Sequence, residues 1–62
     1  MLIAASEIQP GDTIVSHKYG THDVININPI DIGLLFGMGG GKILAVKPDE
    51  QILVIRKADD LL

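Results

Sequence analysis

The sequence predicts an all-β protein, a small five-stranded antiparallel barrel or meander with at most one N-terminal helical turn. Three observations carry this. Ile, Leu and Val fill 21 of the 62 positions, and they fall in runs of strand length. Gly, Pro, Asn and Asp punctuate those runs at 10–11, 19–20, 28–31, 37–41 and 48–50, as turns require. Apolar and polar residues alternate in Ile25-Asn26-Ile27-Asn28, the period of a half-buried strand.

Taken in order, Ala4 to Ile8 suits about one helical turn, too short to stand alone. Pro10-Gly11 stops it. Proline presets φ at the second position of a β-turn and glycine supplies positive φ at the third, which specifies a type II turn. Asp12 to Lys18 is the first predicted strand, with Ile14 and Ser16 on one face and Thr13, Val15, His17 and Tyr19 on the other. A two-residue turn at Tyr19-Gly20 returns the chain through His22 to Ile27. The apolar parity then switches from odd to even positions (Ile30, Ile32, Leu34, Phe36), which requires a bulge or turn. That turn is expected near 28–31, where Pro29 cannot donate to a ladder, and a third strand near 31–36. Gly37 to Gly41 is a loop with Met38 at its tip. Lys42 to Lys47 and Gln51 to Arg56 are the last two strands, joined by Pro48-Asp49-Glu50, and residues 57–62 form a short tail.

The 62 residues form one domain (1–62), which buries only about 60% of its unfolded surface. Such domains need a disulfide, a metal or association. The chain has no Cys and two His, so association is the expected source of extra stability. The net charge of −3 argues against general attraction to nucleic acid. No apolar run approaches the roughly 18 residues of a membrane span, and Met1 to Ala5 lacks the form of a signal peptide. These features fit a cytoplasmic protein, or a virion component if the gene is a phage gene.

The two last strands are apolar on both faces, whereas an antiparallel domain of this size should have one wet face. One set of side chains fills the core and the other is left for a partner. The expected interaction residues are Leu44, Val46, Leu53, Ile55, Leu61 and Leu62, with Met38 as an adaptable apolar finger. A homo-oligomer or a protein partner is expected.

No reactive constellation is apparent, so no enzyme activity, cofactor or metal is expected. Gly37 to Lys42 lacks the first glycine and the hydroxyl of a phosphate loop and leads into a strand. With a Tyr19-Gly20 turn, His17 and His22 would face each other across the ladder, about 5 Å apart at Cβ. They would do so without a third ligand. Asp49-Glu50 and Asp59-Asp60 read as solvated charge. The five basic residues are spread over several elements with one aromatic among them, a weak basis for nucleic-acid binding.

The order of turns and strands over residues 4–56 resembles the small Src-homology-three-like barrels of bacteria and their phages. The carriers are Ala5-Ser6-Glu7-Ile8 before Pro10-Gly11-Asp12, then Leu34-Leu35-Phe36, a Gly-rich turn and a closing Pro48-Asp49-Glu50. That resemblance implies the fold, and a role in binding or assembly such as a virion accessory or structural protein. Two shorter segments are similar to the ring-forming co-chaperonins: Gly11-Asp12-Thr13-Ile14-Val15 with Lys18-Tyr19-Gly20-Thr21, and Ile52 to Arg56 with Asp60-Leu61. This would imply a ring subunit, although Gly41 to Val46 follows the Gly-Asp pair here and precedes it in that family. Val54-Ile55-Arg56 with Asp59 resembles the second signature of Sm-like RNA-binding rings, with Lys57 where that family has glycine.

Overall fold

The computed structural model describes the backbone of residues 1–61 and the side chains of residues 1–59. It is all-β and antiparallel. Six strands form one sheet: β1 (Leu2–Ala4), β2 (Thr13–Ser16), β3 (Gly20–Ile30), β4 (Gly33–Met38), β5 (Lys42–Val46) and β6 (Gln51–Arg56). Their spatial order is β1-β6-β2-β3-β4-β5. Short 3-10 turns occupy Ala5–Glu7, Gly39–Gly41 and Ala58–Leu61. Among the described residues no helix is long and apolar enough to cross a membrane.

The long strand β3 organises the fold. Its first part pairs with β2, from Ser16↔Gly20 to Thr13↔Asp23. Its second part pairs with β4, from Asn26↔Gly37 to Ile30↔Gly33. Between them the β3–β4 register shifts at Val24/Asn26, so Ile25 is an extra residue in β3. Such a bulge bends a strand and increases its twist. It also resets the parity: Val24 is buried, Ile25 is 58% exposed, and Ile27 packs on the core. The two halves of the sheet thereby share one core. Ile14, Ile52 and Val54 come from one half, Phe36, Met38 and Val46 from the other, with Val24 between and Ala5 and Ile8 from the first turn. Burying each of the larger side chains is worth about 1.5–3 kcal/mol.

Several expectations are corrected. Strand β1 makes six strands instead of five; it pairs with β6 through Leu2↔Leu53, Ile3↔Ile52 and Ala4↔Gln51. The parity switch comes from the bulge at Ile25, and the turn falls at Asp31-Ile32, two residues beyond Asn28-Pro29. Strand β3 accommodates Pro29 because the pair next to a two-residue turn, Pro29↔Leu34, lacks ladder hydrogen bonds in the antiparallel alternation. The glycine loop begins after Met38, which is in β4 and buried.

Two glycines are required by contact and conformation. Gly11 sits at φ +98°, and the amide of Asp12 donates to the Gln9 carbonyl at 3.0 Å, closing the turn that Pro10-Gly11 predicts. Gly33 sits at φ +155°, where a Cβ would run into the carbonyl oxygen of Val46 and lie 3.0 Å from the Cα of Lys47. The β3–β4 hairpin is therefore seated tightly on the end of β5.

Candidate interaction surface

Strands β1, β6 and β2 present an apolar row to solvent. Leu53 is the Cα partner of Leu2 on one side and of Val15 on the other, so the three side chains share a face and lie within contact range of one another. Leu2 is 63% exposed and Leu53 39%; Val15 is half-buried. Ile55 adds to this face. The β2–β6 register runs from Thr13↔Arg56 to Ile14↔Val54, which leaves Ile55 as an extra, 57% exposed residue. Its neighbours Ile52 and Val54 fill the core.

The row opens into a groove of about 470 Å³. Its apolar wall is formed by Leu2, Val15, Leu44, Ile52 and Leu53, and its rim by Ser16, His17, Lys18, Glu50 and Gln51. Two rim groups are committed within the fold. Ser16 Oγ accepts the Tyr19 amide at 3.1 Å, and Glu50 Oε1 accepts the Lys47 amide at 3.3 Å. Lys18 Nζ lies over the Tyr19 ring, 5.2 Å from its centroid. Ser16, His17 and Glu50 border one groove, and no hydrogen bond among the described residues joins them to one another.

The expected interaction residues divide. Leu53 and Ile55 are outward and exposed. Leu44 is half-buried, packed on the core from the groove wall. Val46 and Met38 are 3% and 5% exposed and belong to the core, so neither reaches a partner. In β5 the inward positions are even-numbered, because Phe36↔Leu44 and Leu34↔Val46 are paired on the inner face; Ile43, 53% exposed, is outward in their place. Leu61 and Leu62 lie outside the residues with described side chains. Leu2, Val15, Ile25 and Ile32 also contribute exposed or outward apolar surface that strand reading alone did not assign. The signal for Ile32 is an isoleucine in a two-residue turn, between Asp31 and Gly33.

His17 and His22 are not opposed. Ser16↔Gly20 pairing leaves three residues, 17–19, in the loop, and His22 faces Ile14. The loop is longer than the predicted turn because Ser16 Oγ captures the Tyr19 amide. His22 instead lies edge-on to Tyr19, ring centroids 6.2 Å apart, and its Nδ1 is buried with no hydrogen-bond partner among the described residues. Among those residues no three His, Asp or Glu gather as a metal site.

A second polar constellation ties distant segments of the chain together and was not legible in the sequence. The Asp12 carboxylate is fully buried. Its Oδ2 accepts from the Gln9 amide at 2.9 Å and from Lys57 Nζ at 2.7 Å, and its Oδ1 accepts from the Ala58 amide at 2.7 Å. Burial by itself would raise the Asp12 pKa; the Lys57 hydrogen bond, the two amides and the Lys57 charge outweigh it and hold the carboxyl below its ordinary value. The same residue's backbone joins β3, with the Val24 amide donating to the Asp12 carbonyl at 2.9 Å.

Compared with protein-family models, curated proteins and solved structures, the chain matches none.

Proposed function

We propose that this protein is a non-enzymatic β-sheet module that works by assembly, associating with further copies of itself through the outward face of β1, β6 and β2. The observation that carries the reading is the exposed row Leu2-Leu53-Val15, extended by Ile55, beside an apolar groove. Contiguous apolar surface of this kind marks an interaction site, and a domain of this size gains much of its stability from covering it. The strand order, with a bent β3 serving both halves of the sheet, supports the resemblance to small Src-homology-three-like barrels. That fold hosts many roles, so the surface carries the functional argument.

The test is the mass in solution by light scattering of the wild type and of Leu53→Glu and Ile55→Glu. Both side chains point outward, so the variants should fold and fall to monomer mass while the wild type stays larger. Variants that keep the wild-type mass would remove this face from the assembly.

A further inference from the structure

One element of the same chain suits the groove beside the apolar row in apolar character, rigidity and charge. The β3–β4 hairpin ends in Asp31-Ile32, and Ile32, 69% exposed, is the most exposed large hydrophobic among the described residues. Turn positions favour Gly, Asn, Asp and Ser, so an isoleucine there is unexplained by the turn itself. The tip is also held rigid. Gly33 is seated against the backbone of Val46 and Lys47 and the ring of Pro48, and Pro29 stiffens the opposite strand. A rigid finger loses little conformational entropy on docking. Ile30, 36% exposed, flanks it.

The charges are complementary. Asp31 is exposed beside the finger. On the groove rim Lys18 is exposed and lies over the Tyr19 ring, with His17 next to it. The one acid of the rim, Glu50, is directed to the Lys47 amide of its own turn.

We infer that the β3–β4 hairpin tip of one copy docks in the groove of a second copy, Ile32 lying against Leu2, Val15 and Leu53 and Asp31 against Lys18. This rests on the self-assembly reading above and specifies its contact. In a two-fold dimer the contact is made twice; in a ring it runs head to tail. Both arrangements bring the same residues together.

The experiment is charge exchange, read as the apparent dissociation constant by sedimentation velocity. Asp31→Lys and Lys18→Glu should each weaken self-association about tenfold, since each replaces an attraction by a like-charge contact. An equimolar mixture should recover to within about threefold of wild type. In the mixture the cationic tip of the Asp31→Lys chain meets the acidic groove rim of the Lys18→Glu chain, and the native Asp31 tip of the latter meets the native Lys18 rim of the former. Circular dichroism melts check that both variants fold. As a second measurement the chain, which has no native cysteine, is made as Ile32→Cys and His17→Cys variants and oxidised in mixture. The mixed disulfide should form in preference to either homodimer. Variants that associate like the wild type, a mixture that fails to recover, or cross-linking of Ile32→Cys only to itself would each overturn the docking. If Leu53→Glu is still monomeric in those cases, the assembly face stands without it. A monomeric wild type would remove both.

Discussion

Asp12 ties three parts of the chain together around one buried residue: the first turn through Gln9, β3 through its own backbone, and the C-terminal segment through Lys57 and Ala58. Removing its carboxylate takes the acceptor from the Gln9 and Ala58 amides and the charged partner from Lys57, which keeps its longer contact to the Glu7 carbonyl. Asp12→Ala should cost about 2–3 kcal/mol, read as a lower urea midpoint; a loss of a few tenths would show that water satisfies these groups equally well. The pH dependence has a definite sign. The folded-state pKa of Asp12 is depressed, so its contribution is present above the unfolded carboxylate pKa and is lost as pH falls through the folded value. Between about pH 5 and pH 2, wild-type stability should therefore fall more steeply than that of Asp12→Asn, whose side chain does not titrate. Parallel curves would mean that the carboxylate is not ionised in the fold. Gly11, on the turn before it, is fixed by both conformation and space: φ is +98° and a Cβ would lie 3.0 Å from the Cβ of Ala58. Gly11→Val should cost about 1–3 kcal/mol, measured by urea unfolding, and a variant as stable as wild type would refute that constraint.

At the scale of elements, the bulges decide which side chains face the core. Ile25 in β3 and Ile55 in β6 are the extra residues, and each stands outward beside a buried valine, Val24 or Val54. In β5 the inward set is Leu44 and Val46 and the outward set Ile43 and Ala45. Val46→Glu should therefore unfold the domain, since a buried unpaired carboxylate is among the costliest changes a core can suffer, whereas Ile43→Glu should leave the circular dichroism melt nearly unchanged. The reverse pattern would mean that β5 is in the opposite phase. This phase is where the sequence was least informative. Ile43-Leu44-Ala45-Val46 is apolar throughout, so periodicity cannot tell its faces apart; only pairing with Leu34 and Phe36 does. Strands with turn chemistry at their ends were legible: β6 spans Gln51–Arg56 as expected, and Pro10-Gly11 forms its turn. Strand β1 was not, because three residues without alternation become a strand only by pairing with β6, about fifty residues away. The β2–β3 register depended on a single side-chain hydrogen bond from the Tyr19 amide to Ser16 Oγ. Of the interaction surface, Leu53 and Ile55 face outward as expected, but Ile52-Leu53-Val54-Ile55 is also apolar throughout, so pairing with β1 and β2 fixes their phase and brings Leu2 and Val15 beside Leu53.

At the scale of the whole molecule, nine buried hydrophobic residues form the core among the described residues, while Met1, Leu2, Ile25, Ile32, Ile43 and Ile55 each remain more than half exposed. A fold with so small an interior gains substantially from any contact that removes a few of these side chains from water, at about 1.5–3 kcal/mol for each one fully buried. Stability and association should then be linked, since whatever binds only the folded chain shifts unfolding by mass action. The decisive measurement is the melting temperature of the wild type as a function of protein concentration, from low to high micromolar, with mass measured by light scattering on the same samples. Self-association gives a mass above the monomer and a melting temperature that rises with concentration. A mass that stays at one chain throughout, with a melting temperature independent of concentration, would contradict it.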